Sequence, residues 1–159
     1  MPKNVQITLA CGDYEILRPL IDGQVRPDGI DLQFSTNLDS FTRHSRFLQG
    51  GEFDVAELSG SSYLMAKDRG QPIDAIPVFP HRRFRHGFVF VNTAAGIRTP
   101  KDLAGKRVGV KSFQATAMLW IRGILEHGYG VPHRAMRYFS DLDEDIPFEL
   151  PEGLRLTRL

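Results

Sequence analysis

Residues 53–66, FDVAELSGSSYLMA, join an apolar, strand-like run to an amphipathic, helix-like one, and crowd polar groups at the join: Glu57, Ser59, Gly60, Ser61 and Ser62. Hydroxyls at such a place can cap the helix. Together with the unpaired N–H groups of its first turn, they can also cradle a carboxylate. Both uses fit Ser59 and Ser61. Glu57 is expected either to meet an arginine or to face a solvated cleft, because an isolated buried carboxylate is costly. A second run, HRRFRH at 81–86, holds three arginines able to bind a dianion and two histidines, the side chain suited to proton transfer near neutral pH. Alternation sets Arg82, Phe84 and His86 on one face and Arg83 and Arg85 on the other if the run is extended. His86 and Arg82 are the pair expected at a site, and a solvated basic turn is the plain alternative. Two further segments complete the set. Gly12-Asp13-Tyr14 follows an apolar run, and Ser112 to Thr116 follows another, with Gln114 and Thr116 where helix caps and anion ligands both occur. His81 and His86 are five apart, which is not a zinc spacing, and no Walker, dinucleotide or GxSxG motif is present, so no metal or organic cofactor is expected.

The elements that would position these groups follow from periodicity. Strands are expected at 5–10, 30–35 (the alternating IDLQFS), 54–58, 75–79, 87–91, 107–111 and 136–139. Helices are expected at 14–21, from a cap at Asn37 or Asp39 through Leu48, at 61–69 and at 116–127, with a turn at 100–103 opened by Pro100. Trp120, on the amphipathic helix 116–127, is expected in the core. Short strands alternating with helices predict an α/β fold with a largely parallel sheet. In such sheets ligands sit beyond the carboxyl ends of the strands, where all four chemical segments fall.

Bulk properties narrow the class. The chain has 159 residues, is 42% hydrophobic and carries a net charge of +1. That balance gives no bulk attraction to nucleic acid or to a membrane surface. Its single cysteine, Cys11, excludes an internal disulfide. No run is long enough to span a membrane, and the N-terminal stretch is too polar for a signal peptide, so a cytoplasmic location is expected.

LACGDYE (9–15), RPLIDGQVRPDGIDL (18–32), EFDVAELSGSSYLMA (52–66), AIPVFPHRRFRH (75–86), GIRTPKDLAGKRVGV (96–110) and WIRGILEHGYGV (120–131) stand in an order that resembles the 4,5-dihydroxyphthalate decarboxylase family. Lys111 to Gln114 departs from the Pro-Glu-Tyr-like segment expected there. The resemblance implies a type 2 periplasmic-binding-protein-like fold of two α/β lobes around a ligand cleft. Residues 1–92 would form most of the first lobe and residues 93–159 the start of the second. Such proteins run to about twice this length, so a missing C-terminal half, or a homo-oligomer covering the apolar helix 116–127, is expected. The implied activity is decarboxylation of a small aromatic dicarboxylate without a cofactor. His86 would be the acid, Glu57 the partner of a ring hydroxyl, and Arg82 or Arg85 the anchor. Gly12, Asp13, Tyr14, Ser59, Ser61, Ser62, Gln114 and Thr116 would line the substrate. The alternatives are a solute-binding protein for an anionic or aromatic ligand and an inactive fragment.

Overall fold

A computed structural model describes residues 3–159. It contains two three-stranded, all-parallel sheets. The first has the order β2-β1-β3, from β1 (Val5–Ala10), β2 (Ile30–Ser35) and β3 (Val55–Ala56). The second has the order β4-β5-β6, from β4 (Arg107–Val110), β5 (Arg137–Ser140) and β6 (Arg155–Arg158). The chain packs as two compact units, one around each sheet. The first runs to Ser59 and adds Ile73–Arg82; the second comprises Gly60–Pro72 and Arg83–Leu159.

In the first unit β1 and β2 pair in register from Val5 with Ile30 to Ala10 with Ser35. The β3 ladder is short, but the Glu57 N–H donates to the Ala10 carbonyl at 2.8 Å and carries the pairing to the strand end. Before it, the Asp54 carboxylate accepts from the backbone N–H and hydroxyl of Thr8 at 2.8 and 2.7 Å, which locks the start of β3 onto β1. Helix α1 (Arg18–Ile21) is a single turn that Pro19 opens. Helix α2 (Ser40–Gly50) begins where Asp39 Oδ1 accepts from the N–H groups of Phe41 and Thr42. It stops at Gly51, whose φ of 56° is the left-handed C-cap that glycine adopts without strain.

In the second unit α3 (Gly60–Asp68) and α4 (Thr116–Gly123) accompany the sheet. The core gathers Leu103, Val110, Phe113, Ile121, Leu125, Val131, Met136 and Tyr138. Phe113 meets Tyr138 edge to face at 5.0 Å, a favoured aromatic geometry. The half-buried Arg122 guanidinium lies 3.8 Å from the centre of the Phe113 ring and its Nη1 donates to the Phe113 carbonyl at 2.7 Å. Burial holds its pKa below the usual arginine value.

Several expected elements differ. Residues 75–79 are irregular, with Ile76, Val78 and Phe79 exposed. Pro77 and Pro80 remove two ladder donors there. GFVFV, 87–91, is not a strand: Arg85–Phe88 forms a one-turn 3-10 helix, and Phe88 to Val91 are exposed. An apolar run becomes a strand only when a neighbour takes its hydrogen bonds, and among the described residues none pairs with it. The long helix is α-helical only to Gly123 and continues as a π-helical turn, Ile124–Gly128. Trp120 is 59% exposed rather than in the core, because Ile121 and Leu125 occupy the buried face of that helix. No strand is expected beyond residue 139, yet Arg155–Arg158 forms β6.

Candidate functional site

One polar constellation lies in the first unit, at the carboxyl ends of β1 and β3. Chain direction brings Gly12 and Glu57 together there, because parallel strands deliver the residues after Ala10 and Ala56 to the same sheet edge. Glu57 Oε2 accepts from the Gly12 N–H at 3.1 Å and from Arg43 Nη2 at 2.6 Å. Glu57 Oε1 accepts from the Tyr14 hydroxyl at 2.7 Å. The carboxylate therefore has the arginine expected of it, and both its oxygens are engaged. The Arg43 side chain is 2% exposed and that of Glu57 14%. Arg43 Nη1 donates to the Leu38 carbonyl at 3.0 Å, while its buried Nε has no hydrogen-bond partner among the described residues.

The phenol of Tyr14 feels this surrounding directly. Burial first, then the hydrogen bond and charge of Glu57, raise its pKa to about 12. The imidazole of His81 stacks on the Tyr14 ring with centroids 5.6 Å apart and planes 26° apart. Cys11, immediately before Gly12 and buried, has its thiol pKa raised by burial, partly opposed by the positive charge of Arg43.

Other expected residues have different surroundings. Asp13 turns to Arg18, its Oδ2 2.5 Å from Nη2, and both are half exposed. Ser59 is half-buried at the end of the first unit, and Arg82 is exposed at the end of its second segment. In the second unit Ser61, Ser62, Gln114 and Thr116 bond to one another. The Ser61 N–H donates to Thr116 Oγ1 at 3.1 Å and the Ser61 hydroxyl to the Gln114 carbonyl. Ser62 donates to Asp145 at 2.9 Å, and Gln114 Nε2 donates to the Ile146 carbonyl at 2.9 Å. The backbone N–H groups of Phe113 and Gln114 and the Ser112 hydroxyl all donate to Glu144, at 2.8, 2.8 and 2.6 Å. An internal carboxylate thus takes the donors that precede α4.

His86 is exposed, stacks on Phe84 at 4.7 Å and meets Tyr129 edge to face at 6.2 Å. With Leu119, Trp120, Ile124, His127 and Tyr129 it lines an open, mainly apolar depression of about 850 Å³. The Arg85 guanidinium lies 5.9 Å above the Phe88 ring. Among the described residues no three His, Cys, Asp or Glu side chains converge as metal ligands, and no helix is long and apolar enough to cross a membrane.

Arg43 and Glu144 went unforeseen, and within the run 81–86 the histidine expected at the site is His86, not His81. An arginine inside FTRHSRF reads as a solvated helix position. The signal that was present is Glu57's need for a cation, together with Arg43 standing one helical turn before Phe47.

A family model described as "ABC transporter, phosphonate, periplasmic substrate-binding protein" matches residues 29–142. The chain is 41% identical over 162 residues to a "4,5-dihydroxyphthalate decarboxylase" of Comamonas testosteroni, covering 98% of this chain and 49% of that protein. It is 39% identical over 130 residues to a protein of the same name from Pseudomonas putida, covering 81% of this chain and 50% of that one. The chain spans about half the length of these curated relatives. The resemblance read from the motifs is borne out, as is the α/β fold with parallel sheets.

Proposed function

We propose, for a chain that belongs to the family described as ABC transporter, phosphonate, periplasmic substrate-binding protein, that the whole protein is a decarboxylase of a dihydroxylated aromatic dicarboxylate. The reaction would convert 4,5-dihydroxyphthalate to 3,4-dihydroxybenzoate and CO2. The observation that carries this reading is the 41% identity to a protein of that name across 98% of the chain. The same reading takes residues 1–92 as most of a first lobe and 93–159 as the opening of a second, and places the protein in the cytoplasm.

The chemistry asks for three things. A ring hydroxyl para to the departing carboxylate pushes electron density to the carbon that bears it. A general acid protonates that carbon. The carbon–carboxylate bond then breaks, its electron pair restores the aromatic ring, and CO2 leaves. We assign the acid to His86, the steering of the ring hydroxyl to Glu57, and the anchoring of the retained carboxylate to Arg82 or Arg85, whose guanidinium fork matches it. Gly12, Asp13, Tyr14, Ser59, Ser61, Ser62, Gln114 and Thr116 complete the proposed substrate surroundings.

A second reading, capture of an anionic or aromatic solute without chemistry, draws on the family description. One experiment separates them: incubation of the full chain with 4,5-dihydroxyphthalate, following CO2 release and the ultraviolet spectrum of the product. Turnover that falls in His86→Asn supports the decarboxylase. Saturable binding with no CO2 supports the solute binder, and neither binding nor turnover overturns both.

A further inference from the structure

The one proton of the Tyr14 phenol is already committed to a hydrogen bond. A neutral tyrosine hydroxyl has one proton to donate and lone pairs to accept with. Here the proton points to Glu57 Oε1 at 2.7 Å, and Glu57 is held in turn by Arg43 and the Gly12 N–H. Tyr14 can therefore meet a further group only as an acceptor. Donation to a carboxylate makes its oxygen a stronger acceptor, since hydrogen bonds in a chain polarise one another. The ring cannot swing away freely: His81 stacks on one side, and the α-carbon of Gly12 lies beneath it. Tyr14 is only half-buried, so the side chain is not sealed from solvent.

We propose that Tyr14 is the specificity-determining residue for a ring hydroxyl, its phenolic oxygen accepting a hydrogen bond from a hydroxylated aromatic carboxylate, and that Arg43 is the positioning residue that fixes it through Glu57. This deepens, and rests on, the decarboxylase reading above. It also gives Glu57 an indirect part: the carboxylate steers the substrate hydroxyl by orienting Tyr14. A ring without hydroxyls would cover the Tyr14 oxygen without offering a donor, and sites built to hydrogen-bond a hydroxyl reject analogues that lack it.

The test is calorimetric binding of two probes to the full chain, 4,5-dihydroxyphthalate and phthalate, in wild type, Tyr14→Phe and Arg43→Lys, with CO2 release followed separately. Tyr14→Phe keeps the ring stacked on His81 and removes only the oxygen. It is expected to weaken dihydroxyphthalate by about tenfold or more while leaving phthalate unchanged, the scale of a lost hydrogen bond to a polarised acceptor. Arg43→Lys keeps the cation but loses the fork, and is expected to lower the same ratio by less. An unchanged ratio in Tyr14→Phe, equal weakening of both probes, or a wild type that does not distinguish them would overturn the assignment. A wild type that prefers dihydroxyphthalate but releases no CO2 would remove the decarboxylase reading and leave Tyr14 to be judged by the ratio alone.

Discussion

A Cβ built on Gly12 would lie 2.6 Å from Cζ and 2.7 Å from Cε2 of Tyr14, so the phenol ring rests on the bare α-carbon two residues before it. Glycine is required there for space, not for its backbone angles, since no left-handed φ is involved. Gly12→Ala must push the ring off Glu57 or off His81. The expected cost is the roughly 1–3 kcal/mol of an overpacked site. In a Tyr14→Ala background the same substitution should cost far less. Urea unfolding of the four proteins of this cycle checks it, and additive effects would refute the steric account.

Arg43 and Glu57 form an ion pair largely withdrawn from water, with side chains 2% and 14% exposed. Arg43→Met would leave the Glu57 carboxylate with only the Gly12 N–H and the Tyr14 hydroxyl. Breaking a buried pair from one side typically costs roughly 3–5 kcal/mol. Replacing both partners, Arg43→Met with Glu57→Met, should recover much of that loss, because no charge then remains buried. Denaturant midpoints of the single and double variants decide this; a double variant less stable than Arg43→Met would contradict it.

Much of the frame was legible in the residues. IDLQFS alternates, and β2 has the predicted bounds. Asp39 and Gly51 bracket α2 through local hydrogen bonds that any sequence reader can anticipate. The misses are non-local. The apolar runs 75–79 and 87–91 had strand composition, but a ladder needs a neighbour, and composition does not supply one. The site divided along the same line. Gly12, Tyr14 and Glu57 were legible because each falls within four residues of a strand's carboxyl end. Arg43 was not, because its partner lies 14 residues away on another element. The stack of His81 on Tyr14 spans a still longer separation.

Cys11 offers a clean probe of how firmly this corner is closed, being the single thiol in the chain. It is 2% exposed, and burial raises its pKa. Both effects suppress reaction, because the thiolate is the nucleophile. Labelling by a disulfide reagent near neutral pH should proceed only as the structure opens, with a rate that saturates at high reagent concentration. Tyr14→Ala, which removes a neighbouring ring, should accelerate it. Prompt, stoichiometric labelling of the native wild type would show the burial to be wrong.

The raised pKa of Tyr14 predicts a stability change of definite sign. Its folded value of about 12 stands above the ordinary 10, so folding favours the neutral phenol. The resulting stabilisation is complete below pH 10 and is lost as pH rises through the folded value. At about pH 11 an ordinary tyrosine is largely phenolate, whereas Tyr14 should remain largely neutral. The ultraviolet phenolate spectrum of wild type minus Tyr14→Phe isolates this residue from the other three tyrosines. Glu57→Gln removes the negative charge but not the burial, which is the larger cause. The Tyr14 midpoint should therefore fall in that variant yet stay above its ordinary value. A midpoint near 10 in the folded wild type would mean that Tyr14 is solvated and does not donate to Glu57. A midpoint unmoved by Glu57→Gln would mean that burial alone raises it.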